Sequence, residues 1–268
     1  FQDQELTAGK VTVSVSYAAR DVAAVEDTEN LSYQIYYDGV LQVDRAESTY
    51  SQSSVQLKDL DDNGTAEVIV STYTGGAHCC TAFSIYDWQG SEFHAAKTHL
   101  LDAGGGSFKD LDDDGTLEFS SADNAFFYSF SSYAGSFPPS LILSFEEGQF
   151  VDSTQQFEPY LRSVVWEMYQ AVQRAEAEDY DSNGILAGYV AQKILLGEYQ
   201  QGWEFMLAHY DPTSDWGLDI YDEAGNVVDR YPDYPTALRA FLTKLNYLTA
   251  TGQPNPHLDR LDRMIESQ

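Results

Sequence analysis

Alternating apolar and polar residues organise the first half of the chain. Val11, Val13, Val15 and Tyr17 alternate with Lys10, Thr12, Ser14 and Ser16, the period of a strand with one face buried. Leu31, Tyr33, Ile35 and Tyr37 repeat the alternation, and Asp38-Gly39 turns the chain into Val40-Leu41-Gln42-Val43, which predicts a hairpin. Further strand-like runs stand at 68–70, 81–86, 119, 126–130 and 141–145. Turns are predicted at 87–90, before Phe93, and at Glu146-Glu147-Gly148, before Phe150-Val151. From about residue 157 the period changes. Leu161, Val164, Val165, Met168, Ala171, Val172 and Ala175 fall on one helix face, with Pro159 in the first turn. Helices are predicted over 185–196, stopped by Gly197, over 198–209 and over 235–248, and Gly225-Asn226 predicts a short hairpin within 218–228. The expected fold class is α+β: an antiparallel β-rich domain over 1–153, then a mainly helical domain over 154–268. No Pro- or Gly-rich linker separates them, so the halves are expected to pack together.

Among the predicted strands one acidic phrase occurs twice. Lys58-Asp59-Leu60-Asp61-Asp62-Asn63-Gly64-Thr65-Ala66-Glu67 returns 51 residues later as Lys109-Asp110-Leu111-Asp112-Asp113-Asp114-Gly115-Thr116-Leu117-Glu118. Oxygen side chains at loop positions 1, 3 and 5, then Gly at 6, suit a hard cation such as Ca²⁺. The alternate residues converge on one point, and Gly lets the backbone turn to offer the next carbonyl. Asp59, Asp61 and Asn63 would ligate one ion, and Asp110, Asp112 and Asp114 a second. The Thr65 and Thr116 carbonyls would add to each set, with Glu67 and Glu118 coordinating directly or through water. Asp, Asn and Gly also build ordinary turns, but a turn alone needs no oxygen at every second position. A third and weaker candidate, Asp179, Asp181 and Asn183 before Gly184, lies between two predicted helices. Val190 stands there where an EF-hand loop carries its bidentate carboxylate, so the expected role is a helix cap.

Composition narrows the partners. Fourteen basic residues against 43 acidic ones give a formal charge of −29 and a pI near 4.1, which repels nucleic acid and anionic membrane. With 43% apolar and 14% aromatic residues the chain has a core to bury and is not a disordered acidic tail. No run of about 18 apolar residues occurs, so no membrane span is predicted. The chain opens on Phe1-Gln2-Asp3 rather than Met, as expected of a trimmed chain or of a mature form whose signal peptide has been removed, and the expected location is secreted or periplasmic. Such a compartment suits calcium loops of modest affinity.

Both cysteines lie side by side in Gly75-Gly76-Ala77-His78-Cys79-Cys80. Three readings stand, in this order: a vicinal disulfide of Cys79 and Cys80, a pair of buried thiols, or a soft-metal or redox site that includes His78. The five histidines are scattered, and no GxSxG, HExxH or P-loop string occurs. No catalytic residue is therefore assigned. A hydrolase with two carboxylates placed by the fold remains an alternative, with Tyr73, Trp88 and Tyr133 as rings for sugars.

The strings 59–70 and 110–119, each an acidic loop running into a strand, resemble the FG-GAP and VCBS-type calcium repeats known from integrin α propellers. The resemblance implies loops that join two strands of a propeller-like blade, each stiffened by an ion. Two and a half such units are too few for a closed propeller, so an open blade stack is expected. The stretch 59–80 is also similar to uncharacterised exported bacterial repeat proteins. The resulting expectation is an exported, non-catalytic binding or scaffold protein. Two Ca²⁺ ions would rigidify a β-repeat module that takes a protein or polysaccharide ligand. The alternatives are an extracellular hydrolase with structural Ca²⁺ and a thiol or transition-metal handling protein.

Overall fold

The computed structural model describes residues 3–19, 29–50, 53–102 and 104–265. The chain folds as two compact units. One comprises Phe1–Ser121, Ile142–Asp152 and Arg260–Gln268, and the other Ala122–Leu141 and Ser153–Asp259.

Antiparallel meanders build the first unit. Strands β1 (Gln4–Ala8), β2 (Val11–Tyr17), β3 (Leu31–Tyr37) and β4 (Val40–Glu47) pair in chain order. Val11, Val13 and Val15 are buried, as are Leu31, Tyr33 and Ile35 opposite them, so the alternation marks the core face. Asp38 and Gly39 both take positive φ, as a two-residue hairpin requires. Strand β1 has no such alternation, and its edge position leaves it mostly exposed. It is a strand because Gly9 and Lys10 turn Ala8 onto Val11.

The second sheet orders β5 (Ser54–Lys58), β6 (Glu67–Tyr73), β7 (Cys79–Trp88) and β8 (Phe93–Lys97), and β9 (Leu101–Asp102) pairs back on β7. Residues 67–71 of β6 are all buried, which is why Val68-Ile69-Val70 runs without a polar break. The third sheet orders β10 (Ser107–Lys109), β11 (Glu118–Ala122), β12 (Ser140–Glu146) and β13 (Gln149–Asp152). Sheets one and two share a core in which Val13, Tyr33 and Ile35 meet Val55, Val68 and Tyr86. The Tyr33 and Tyr86 hydroxyls bond to each other at 2.8 Å, which satisfies their buried polar tips. Among the described residues these sheets are open, and none closes into a barrel or propeller.

The strand expected over 126–130 is absent. A 3-10 turn covers Asn124–Phe126, the Asp123 side chain accepts from Ala125 N, and Tyr128 takes φ +61°. The Asp side chain competes with the sheet ladder for backbone N–H groups. Phe126 and Phe130 are buried against rings of the second unit instead: Phe126 on Phe241 and Tyr247, Phe130 on Tyr234 and Phe241.

Helices α1 (Glu158–Ala177), α2 (Asn183–Leu195), α3 (Tyr199–His209), strands β14 (Asp219–Tyr221) and β15 (Val227–Arg230), and α4 (Tyr234–Lys244) complete the second unit. Leu161, Met168, Ala171, Val172 and Ala175 of α1 are buried. Every residue of α2 is buried, so its polar side chains must find partners. Gln192 accepts from Ser140 N at 2.8 Å and donates to Ser140 Oγ at 3.0 Å. Lys193 pairs with Glu198, which also receives Arg162 at 2.9 Å. The predicted helix over 235–248 stops at Lys244, because Asn246 adopts the left-handed conformation at φ +61°. The fold class is α+β, and among the described residues the four α-helices follow the three larger sheets. Among the described residues no helix is long and apolar enough to cross a membrane.

Candidate metal centre

Each acidic phrase forms the first turn of its sheet. Lys58 pairs with Glu67 where β5 ends and β6 begins, and Lys109 pairs with Glu118 where β10 ends and β11 begins. The repeat in sequence is thus a repeat in structure. Gly64 and Gly115 take φ +83° and +94°, a conformation that a side chain would resist. Asp62 and Asp113, at φ +54° and +63°, complete the bend.

The first loop gathers Asp59, Asp61 and Glu67, with one carboxylate oxygen from each within 4.8 Å of the others. Backbone N–H groups hold one oxygen of each of these carboxylates, with Asn63 N donating to Asp61 Oδ1 at 3.2 Å. Gly64 N donates to Asp59 Oδ2 at 3.0 Å, and Leu60 N donates to Glu67 Oε2 at 2.6 Å. The second oxygens, Asp59 Oδ1 and Glu67 Oε1, are buried and have no hydrogen-bond partner. Glu67 is 0% exposed. Burial first, then the charges of Asp61, Asp87 and Asp59, push its carboxyl up to about 8, against the Leu60 bond that lowers it. A buried carboxylate with an unpaired oxygen costs several kcal/mol unless a proton or a cation meets it. Asn63 Oδ1 accepts from Thr65 N at 2.8 Å, and its Nδ2 donates to Asp61 Oδ2 at 2.9 Å. Asn63 therefore braces the loop, and Thr65 is half-buried behind it.

The second loop brings Asp110, Asp112 and Asp114 within the same 4.8 Å, all exposed. Both Asp110 oxygens accept from backbone, from Asp114 N at 3.2 Å and Gly115 N at 3.0 Å. Asp114 Oδ1 accepts from Thr116 N at 2.7 Å. Glu118 is buried, and its Oε2 accepts from Leu111 N at 3.0 Å. Burial raises its pKa, as do Asp112 and Asp114. The two loops share a backbone design, but the first leaves buried oxygens free.

The structure also assembles a carboxylate that sequence reasoning placed in a turn. Asp87, on β7, is 4% exposed, and its Oδ1 is a further buried atom without a partner. It follows the Tyr86 that pairs with Val68, one step along from Glu67. Burial raises its pKa, with a smaller contribution from Asp61 in the same direction. The β6–β7 register was the signal that could have found it.

The remaining candidates fall elsewhere. Asp181 Oδ1 accepts from Asn183 N at 2.8 Å and its Oδ2 from the Ser214 hydroxyl, while Asn183 Nδ2 donates to Asp211 O at 3.0 Å. Asp181 and Asn183 thus tie the start of α2 to the 211–214 segment, and Asp179 sits just before them at φ +57°. Cys79 and Cys80 are joined sulfur to sulfur, with Asp102 of β9 beside them. Trp88 stacks on Tyr37, Tyr133 stacks on Phe127, and the Tyr73 hydroxyl donates to Gly76 O. These rings are engaged within the protein. A cavity of about 680 Å³ in the second unit is lined instead by Tyr128, Trp216, Tyr221, Tyr231 and Phe241.

Fold and site together define a class: an α+β protein in which acidic loops turn the first two strands of antiparallel sheets, ahead of a helical region. Residues 161–246 match the family model described as the sll0997 C-terminal domain. Over 255 residues the chain is 36% identical to the probable thylakoid lumen protein sll0997 of Synechocystis, an alignment covering 90% of this chain and 75% of that protein. It is also 34% identical over 192 residues to the uncharacterized protein y4bJ of Sinorhizobium fredii, covering 68% of this chain but only 30% of that one. No solved structure matches. The chain belongs to the sll0997 family. This overturns the resemblance to FG-GAP and VCBS-type repeats. The DxDx[DN]G string is short and dictated by turn and cation geometry, so it recurs without common descent.

Proposed function

We propose that this protein binds Ca²⁺ at its two acidic loops and that the ions hold the first turns of the second and third sheets in shape. One observation carries the reading: Asp59 Oδ1 and Glu67 Oε1 are buried and unpartnered beside Asp61. Backbone N–H groups already fix the other oxygens of Asp59 and Glu67, so the free ones lack only a positive charge. An oxygen-only donor set of carboxylates, an amide and a carbonyl is that of a hard cation rather than of zinc or copper. Asp59, Asp61, Asn63, Thr65 and Glu67 would hold one ion. Asp110, Asp112, Asp114, Thr116 and Glu118 would hold the other. The second site is the weaker, since its Asp110 oxygens are already bonded and its cluster faces solvent.

The name of the Synechocystis relative assigns that protein to the thylakoid lumen, a compartment outside the cytosol. This supports an exported location for the present chain, where calcium is not held at cytosolic levels. The function is binding or scaffolding, without catalysis. The ring-lined cavity of the second unit suits a polysaccharide or protein ligand. Calorimetric titration with CaCl₂ tests the metal reading. Wild type should take up two ions, and Asp59→Ala and Asp110→Ala one each. No uptake by wild type at millimolar Ca²⁺ would refute it.

A further inference from the structure

Asp87 lies outside both acidic phrases, yet it shares the defining feature of the first loop. Its side chain is nine-tenths or more buried, and Oδ1 has no partner. Antiparallel pairing runs from Tyr73 with Thr81 to Val68 with Tyr86. The next residues along the two strands are Glu67 and Asp87, so both carboxylates stand on one face of the sheet. The turn at 146–149 packs against Asp87: a Cβ added at Gly148 would strike Gln89 and Asp87. Two buried carboxylates, each with a free oxygen, are thus cross-strand neighbours, and one of them, Glu67, gathers with Asp59 and Asp61.

The loop sequences explain why a carboxylate is needed there. Position 5 is Asp114 in the second loop but Asn63 in the first. The second loop supplies four carboxylates by itself: Asp110, Asp112, Asp114 and Glu118. The first supplies three: Asp59, Asp61 and Glu67. We propose that Asp87 is the fourth carboxylate of the first calcium site, delivered from β7 in place of the charge that Asn63 lacks. It binds the ion directly or through one coordinating water. The site is then a joint between strands rather than a loop alone, and its ion ties β7 to the β5–β6 turn. This inference rests on the calcium reading above.

Calcium affinity of loop-specific variants tests it. In an Asp110→Ala background, which leaves the first site alone, Asp87→Asn should weaken Ca²⁺ binding roughly tenfold, since charge count sets the affinity of such sites. Adding Asn63→Asp should recover at least part of that loss, which a purely structural role for Asp87 would not allow. A loss below about threefold, or no recovery, contradicts the proposal. Should Asp87→Asn fail to fold, anomalous diffraction from calcium-soaked wild-type crystals decides the matter. The proposal requires an Asp87 oxygen on the first-site ion at about 2.3–2.6 Å, or on one of its waters. A carboxylate turned away from the ion overturns it. Wild type that binds no calcium would instead defeat the underlying reading, so the two failures are distinguishable.

Discussion

Replacing Glu67 by glutamine is expected to flatten the pH dependence of stability in chelator. The folded carboxyl is pushed up to about 8 from its ordinary 4.5, first by burial and then by the charges of Asp61, Asp87 and Asp59. The folded, metal-free protein therefore holds this proton more tightly than the unfolded chain does. That stabilisation is fully present below about pH 4.5 and is lost as pH climbs through about 8. At ~1.4 kcal/mol per pKa unit the loss is on the order of 4–5 kcal/mol. Wild type in chelator should thus soften steeply between pH 5 and pH 8. Glutamine keeps the shape and carries no titrating proton, so E67Q should show a much smaller slope. Saturating Ca²⁺ should flatten the wild-type slope as well, because the ion keeps the carboxylate ionised at no cost in burial. Equal slopes for E67Q and wild type in chelator would show that Glu67 is not the buried acid described.

Asp152→Ala should be among the most damaging single changes in the chain. Arg260 donates from Nε to Asp152 Oδ2 at 3.0 Å and from Nη2 to Oδ1 at 3.2 Å. The Arg260 side chain is 1% exposed and that of Asp152 8%. This pair anchors the C-terminal segment, which also bridges Thr98 with Ile265 and bonds His99 N to Met264 O. Removing the carboxylate alone takes the counter-charge from a buried guanidinium, at a cost of about 3–5 kcal/mol. Asp152→Ala combined with Arg260→Met should recover much of it, because no buried charge is then left. Urea unfolding at pH 7 reads both variants. A loss below about 1 kcal/mol for Asp152→Ala would show that the pair is solvated rather than buried.

What the sequence disclosed follows the range of the interactions involved. Strands β2 and β3, the buried face of α1 and the β14–β15 hairpin were legible because alternation, helical spacing and a turn dipeptide are local signals. The two acidic loops were legible for the same reason, as turns rich in oxygen. Strand β1 was not, since its edge position removes the alternation on which prediction depends. Phe126 to Phe130 misled because five residues rich in aromatics suit a strand as well as a 3-10 turn, and only Phe241, Tyr234 and Tyr247 from far along the chain decide between them. Asp87 and Arg260 depend on partners 20 and 108 residues away, and no local pattern marks either. The family was missed for a related reason. A ten-residue loop motif reports turn chemistry, whereas descent is written across the whole alignment, including the helices at 161–246.

The central claim is that a divalent ion belongs among the carboxylates of the acidic turns. Calorimetric melting of the wild-type protein at pH 7.5, once with excess chelator and once with millimolar CaCl₂, tests it most directly. An ion present at about 100 times its dissociation constant adds about 2.7 kcal/mol per site, enough to raise the midpoint by roughly 5–10 °C in a domain of this size. The account predicts that rise in wild type and little or none when Asp59 and Asp110 are both alanine. Superimposable wild-type curves with and without calcium would contradict it.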